Sequence, residues 1–553
     1  MCIMKIYSTL LALFITSQLF AQDTTLQKAD LLSAAKAFDL QFSPKEIDTL
    51  LSDVKDNLKN YKAMHQLALP NSVPLSLWQT AILPNMTFAK TQNNIPWKTK
   101  ITALPQNIND LAYYNIDQLA YLIRTKKISS LKLTKFYIDR IKKWGDTLQC
   151  VISLQEDIAY KQAKQADEEI AAGKYRGLLH GIPYGLKDLF AIKGTKTTWG
   201  AAPYKNQVID EDAFVYTQLK NAGAVLVAKF TLGALAMGDY WYGGRTKNPW
   251  NLNYGSSGSS AGSASATVAG LVPFAIGTET WGSIVSPSTT CGATGLRPTF
   301  GSISRTGAMA LSYSLDKVGP ICRSAADAAI VFSYLHGTDG KDLSAVNMPF
   351  NYTPEKPIKQ LKIAYAKNYF DRIKDTTRNE WKALEVFKKM GVQLIPVNFP
   401  DSGVYQFNIM DVIIGVECAA QFDELTRFNI DDELTRQTKN DWPNQFRAAR
   451  FVPAVEYINA QRHRYLLMQK VNEVMQQYDA IICPSRGDGN QSAITNLTGN
   501  PVVCVPSGFD KRFNLPTGIS FVGKLFDEAT LLNIADAYQK ASPWEDMHPS
   551  KFQ

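Results

Sequence analysis

Three segments carry residue types that could do chemistry together. The first is Gly181-Ile182-Pro183-Tyr184-Gly185-Leu186-Lys187-Asp188-Leu189-Phe190, in which Lys187 is the only basic residue among mostly apolar neighbours. Desolvation disfavours a charged ammonium, so a lysine buried there can serve as a neutral base. The second runs from Gly255 to Ser265 and holds three glycines and six serines in eleven residues, Ser259 among them. An apolar stretch, Thr267 to Ile276, follows at once, so the small residues suit close backbone packing around a site better than a linker. The third is Gly277-Thr278-Glu279-Thr280-Trp281-Gly282-Ser283-Ile284, a polar loop whose backbone N–H groups could face a developing oxyanion.

The order and spacing of these segments resemble the amidase signature family, which uses a lysine, a serine in a cis peptide and a nucleophilic serine. Pro183 to Asp188 matches the family's lysine segment. Gly258-Ser259-Ser260-Ala261-Gly262-Ser263 matches its cis-serine run, and Gly277 to Ser283 its nucleophile loop, 24 residues on from Ser259. Gly295-Leu296-Arg297-Pro298-Thr299, Asp316 to Pro320, Asn496 to Pro501 and Asp527 to Leu532 extend the likeness over about residues 107–540. Four positions depart from the family pattern: Glu279 stands for a usual Asp, Trp281 and Ala261 for usual glycines, and Val285 for a frequent Arg.

The resemblance implies Ser283 as nucleophile, Ser259 as proton relay and Lys187 as base. It implies an oxyanion hole from the backbone N–H groups of Thr280, Trp281, Gly282 and Ser283. The reaction implied is hydrolysis of a carboxylic amide through a seryl acyl-enzyme, with no metal or cofactor. The fold implied is α/β, a large mixed twisted sheet with helices on both faces.

Two other functions on the same fold stay open: the catalytic subunit of a glutamyl-tRNA amidotransferase, and a catalytically inactive binding protein. Outside the family, Gly258 to Gly262 also fits G-x-S-x-G, with Ser260 as nucleophile and a histidine such as His336 or His463. That motif needs a preceding strand, and Asn251 to Tyr254 is polar and turn-like. Ser129 to Lys132 and Ser314 to Lys317 fit S-x-x-K; they read as a helix start and a structural turn.

The elements that must position these residues follow from periodicity. Leu119, Leu122, Ile123 and then Leu133, Phe136, Tyr137, Ile141 have helical spacing, and a helix is expected over Glu156–Ala172 with Gly173 as its stop. Ile182 onward reads as a strand, Ala213–Asn221 as a helix and Ala224–Ala228 as a buried strand. Glu380–Met390 and Val392–Val397 repeat the helix-strand alternation, the grammar of a covered α/β sheet.

Residues 1–21 have the layout of a secretory signal: Lys5, then Leu10 to Ile15, then a cut after Ala21. An exported, periplasmic or extracellular protein is therefore expected. Residues 22–105 read as amphipathic helices followed by a proline-punctuated linker, and 106–545 as the catalytic domain. The chain has 553 residues and a net charge of +9 without a basic block, so nucleic acid is not an expected partner. The expected partner is a small-molecule or peptide amide. No stable membrane insertion is expected, and monomer and homodimer both stay open. The six cysteines beyond Cys2 form no C-x-x-C pair and the five histidines are scattered, so no metal site is expected. Tyr240-Trp241-Tyr242 and Trp281 suggest an aromatic approach to the site.

Overall fold

The computed structural model describes residues 26–38, 40–64, 71, 79–401 and 409–553. The expected signal segment, residues 1–21, lies outside them. The chain divides into two compact units between residues 69 and 70. In the first, Lys28–Ala37 and Pro44–Met64 are helices. In the second, residues 79–105 are irregular, as their prolines require, but they are tied to the larger unit. Gln92 bonds both the N–H and the carbonyl of Phe350, at 2.8 and 2.9 Å, and the Trp97 ring lies 5.5 Å from Tyr352. Sequence patterning starts the catalytic domain at 106; the compact unit begins some way before it.

An eleven-stranded mixed sheet organises the larger unit. In chain order its strands are β1 (Val151–Leu154), β2 (Pro183–Lys187), β3 (Val225–Phe230), β4 (Ala275–Glu279), β5 (Thr294–Arg297) and β6 (Lys317–Cys322). They continue as β7 (Ile363–Ala366), β8 (Ile395–Val397), β9 (Ala480–Pro484), β10 (Val502–Phe509) and β11 (Pro516–Gly523). Their order across the sheet is β1-β3-β2-β4-β6-β5-β10-β11-β9-β7-β8. β3, β2 and β4 run parallel, as do β9, β7 and β8, with antiparallel pairings between the two sets. The expected strand 392–397 keeps only Ile395–Val397, at the sheet's edge.

Alternation along β6 shows that both faces are covered. Val318 and Cys322 pack in one apolar cluster with Ala325, Ala328 and Ala329 of the helix Ala325–Leu335. Ile321 points the other way, into a cluster with Ala264, Val268 and Ile284. A strand sends successive side chains to opposite faces, so these two helical layers sandwich it.

The serine-rich run becomes the helix Ala261–Val268, buried along its whole length. Its small side chains are a packing requirement. A Cβ on Gly262 would lie 2.4 Å from the Cys150 carbonyl oxygen and 2.6 Å from the Thr231 backbone nitrogen. The Gly262 N–H instead donates to the Thr231 carbonyl at 2.9 Å. In an exposed helix Ala would be favoured over Gly by about 1 kcal/mol; here backbone contact reverses that preference. Gly262→Ala is expected to destabilise the protein by roughly 1–3 kcal/mol, the usual cost of overpacking. Urea unfolding of the two proteins checks this, and an unchanged midpoint would contradict it.

Candidate active site

The site is built where β2 and β4 end side by side. Gly185 and Leu186 pair with Ala275 and Ile276 in parallel register. This brings Lys187, the last residue of β2, against Thr278. The Lys187 amine is fully buried among four oxygens: Ser259 Oγ at 2.8 Å, Thr278 Oγ1 at 2.8 Å, Ser260 Oγ at 3.2 Å and the Thr278 carbonyl at 3.4 Å. None of these is a carboxylate. Burial lowers its pKa from 10.5 to about 7, with Asp316 and Glu279 at longer range opposing the shift.

Its neighbourhood shows the contrast. Asp188, the next residue, forms a wholly buried ion pair with Lys229 at 2.8 Å and accepts bonds from the Thr198 N–H and hydroxyl at 2.8 and 2.5 Å. Two lysines thus sit dry within one corner of the sheet, and the partnering carboxylate goes to Lys229.

The two serines next to Lys187 differ in what their hydroxyl hydrogens can do. Ser260 Oγ donates to the Thr278 carbonyl at 3.1 Å and accepts from the Thr278 N–H at 3.2 Å. Its hydrogen is committed, so it can only accept from Lys187. Among the described residues, the Ser259 hydroxyl has Lys187 as its one hydrogen-bond partner. The Gly258–Ser259 peptide bond is cis, and a Cβ on Gly258 would lie 1.8 Å from the Gly238 carbonyl oxygen.

Glu279 shapes the loop that carries Ser283. Its carboxylate accepts from the N–H groups of Ile284 and Val285 at 2.8 and 2.9 Å, so residues 280–283 arch over it. Gly282 takes φ +87°, a left-handed turn that suits glycine. Among the described residues, the N–H groups of Thr280, Trp281, Gly282 and Ser283 donate to no protein acceptor. The carbonyl of Ser283 accepts from the Ser260 N–H at 3.1 Å, which joins this loop to the serine run. Thr280 is held from the side: its hydroxyl donates to Asp316 at 2.5 Å, and Asp316 also accepts from the N–H groups of Leu311 and Ser312.

Glu279 is itself pinned by Arg297 and Asn496, each at 2.8 Å. Burial alone would push its carboxyl up, but Arg297 and these hydrogen bonds outweigh it and hold the group at about 2. Arg297, Asn496 and Asp316 stand in segments that the sequence flags only through the family likeness; no local pattern gives their roles. Asp316, read from sequence as part of a turn, braces the loop. Val285 is buried in an apolar cluster with Val502 and Cys504, so the frequent Arg of this position has no counterpart there.

Ser283 opens on a cavity of about 590 Å³ lined by Gly258, Thr280, Trp281, Met237 and Trp442 among others. A second cavity of about 690 Å³ shares Ala236, Thr280 and Leu311 with the first but does not reach Ser283. The aromatic approach therefore consists of Trp281, 42 % exposed, and Trp442. Tyr240 and Trp241 form a two-residue ribbon against Gly244 and Arg245 and do not line the cavity. Ser260 is fully buried, His336 packs on Phe332 and Phe350, and His463 is exposed, so no hydrolase triad forms at Ser260. Ser129 caps its helix by accepting from the Lys132 N–H. The six described cysteines are free and buried. No group of three or more His, Cys, Asp or Glu among the described residues could hold a metal ion, and no described helix is long and apolar enough to cross a membrane.

The Amidase family model matches residues 132–490, well over half of the chain and inclusive of all three segments. The chain belongs to the Amidase family. A glutamyl-tRNA(Gln) amidotransferase subunit of Coxiella burnetii is 33 % identical over 484 residues, covering 78 % of this chain and 98 % of the relative. The native peptide amidase of Stenotrophomonas maltophilia superposes with a TM-score of 0.70 at 28 % identity, covering 78 % of this chain and 97 % of that one. An amidase family protein from Bacillus anthracis gives 0.70 at 27 % identity, covering 78 % and 91 %. As an amidase, the protein acts on carbon–nitrogen bonds of amides.

Arg297→Met would leave the Glu279 carboxylate buried beside an apolar chain. Losing one member of a buried pair typically costs about 3–5 kcal/mol. The expected result is a destabilisation of that size by urea unfolding, with the greater part of it recovered in the double variant Arg297→Met, Glu279→Gln.

Proposed function

We propose that this amidase hydrolyses a linear carboxylic amide to acid and amine or ammonia through a covalent ester on Ser283. The observation that carries the reading is the Lys187 amine, buried without a carboxylate in hydrogen-bond contact and 2.8 Å from the Ser259 hydroxyl, which has no other hydrogen-bond partner among the described residues.

A serine hydroxyl is a weak nucleophile until a base removes its proton. Ser283 Oγ attacks the amide carbon while its proton passes to Ser259 Oγ, and the Ser259 proton passes to Lys187 Nζ. The carbonyl oxygen becomes an oxyanion, facing the N–H groups of Thr280 to Ser283. Each such donor is worth about 10²–10³ in rate. As the C–N bond breaks, the proton returns from Lys187 through Ser259 to the leaving nitrogen. Water then attacks the ester by the same relay, giving the acid and free Ser283.

A second reading, as one subunit of an amidotransferase, is favoured by the 33 % identity to the Coxiella protein over nearly its whole length. It predicts that the protein co-purifies with further subunits. The hydrolase reading predicts that the protein acts alone, and it fits the diffuse charge of +9. We also propose that the protein is exported, on the support of Lys5, the apolar stretch Leu10 to Ile15 and Ala21. Sequencing the N-terminus of the native protein checks this: the expected first residue is Gln22, and an intact Met1 would contradict export.

Ser283→Ala and Lys187→Ala are each expected to reduce amide turnover by several orders of magnitude, and a fluorophosphonate is expected to label Ser283. Turnover like that of the unchanged enzyme in either variant contradicts the scheme. The base works as the free amine, so lowering pH protonates it. Rate should therefore rise with pH through about 7 and level off above. A rate that falls from pH 7 to 9 in folded protein contradicts a lysine base.

A further inference from the structure

Among the described residues, the wall of the Ser283 cavity is apolar or uncharged except at one position. Met237, Trp281, Val412, Ile414, Trp442 and Val452 stand around it, and Asp411 is the one ionisable group among the described lining residues. Asp411 sits in the first turn of the helix Ile409–Gln421 and is exposed to the cavity's solvent. Among the described residues it has no ion-pair or hydrogen-bond partner, and the protein around it pushes its carboxyl up by desolvation.

Nearby basic groups are already occupied. Arg447, on the opposing helix Trp442–Ala449, pairs with Asp431 and Asp432, and Arg450 and Arg427 pair with Asp423. Glu417, on the same helix as Asp411, is held instead by the hydroxyls of Ser312, Ser314 and Tyr457. A negative group on an apolar wall attracts a cation and repels an anion, and low-dielectric surroundings strengthen both effects.

We propose that Asp411 is a specificity-determining residue that selects amides carrying a cationic amine and disfavours amides carrying a free carboxylate. The inference rests on the proposed hydrolysis at Ser283 and adds the class of its substrate. The ammonium would form a charge-assisted hydrogen bond with the Asp411 carboxylate while the rest of the acyl chain lies on the apolar wall. An amide whose one charge is a carboxylate, as in adipic acid monoamide, would meet no cation in the described wall and one like charge.

The test uses three amides of matched length on the full chain: 6-aminohexanamide, hexanamide and adipic acid monoamide. The expected order of kcat/KM is cation, neutral, anion. A charge-assisted bond of ordinary strength makes the cation-to-neutral ratio about tenfold. Asp411→Asn should bring that ratio near one, chiefly through KM, and Asp411→Lys should put the anionic amide ahead of the cationic one. A ratio that Asp411→Asn leaves unchanged, or an unchanged protein that prefers the anion, overturns the inference. Protection of Ser283 from fluorophosphonate labelling reads binding without turnover. 6-Aminohexanamide should protect at lower concentration than hexanamide, and equal protection overturns the inference even where hydrolysis is intact. The failure of the underlying reading looks different: no amide is turned over and Ser283 takes no label.

Discussion

The constraint on which this structure depends is an amine held dry without a counter-charge. Lys187 is enclosed by β2, β4 and the serine run, and its contacts are hydroxyls and a carbonyl. An ammonium in that setting is penalised by desolvation, and this moves the group into the range where it can take and return a proton near neutrality. A carboxylate beside it would undo the effect. The fold avoids this by giving the adjacent Asp188 to Lys229, in a separate buried pair with its own hydrogen bonds.

Such a site demands a rigid frame, and the frame is polar. Glu279 takes four hydrogen bonds, two from the loop it shapes and one each from Arg297 and Asn496. Arg297 lies on β5 and Asn496 on the helix Gln491–Thr498, so the loop of Ser283 is tied to elements far apart in sequence. Asp316 anchors Thr280 in the same way from the start of β6. A half-satisfied network of this kind would cost more than an apolar core. The longer Glu side chain in place of a usual Asp makes all four of these bonds, and Trp281, where glycine is usual, is a half-exposed residue of the cavity lining.

The relatives fit a division between scaffold and wall. The lysine corner and the small-residue helix lie within the span that the Amidase family model matches. The residues lining the Ser283 cavity come in large part from the helices Ile409–Gln421 and Trp442–Ala449, far along the chain from the three segments. Specificity on a common fold resides in such walls. This explains how one chain can be similar both to a protein named for a tRNA-linked substrate and to an enzyme named for peptides.

Sequence alone brought out the residues whose types could do chemistry, and the local elements that carry them. Lys187 in an apolar strand, the small-residue run and the polar loop are contiguous patterns, and the helices near 156, 214 and 380 end where glycines or caps dictate, because those signals are local. What only the tertiary structure decided is relational. The strand register set Lys187 against Thr278, and hydrogen-bond accounting separated Ser259 from its neighbour Ser260. Arg297, Asn496 and Asp316 acquired roles through contacts with residues up to 217 positions away in sequence. The aromatic approach moved from Tyr240 and Trp241 to Trp442 for the same reason: a cavity wall is assembled from distant helices. Burial, and with it the lowered pKa of Lys187, belongs to that assembly too, since a strand's sequence shows that it is apolar but not which oxygens enclose its last side chain.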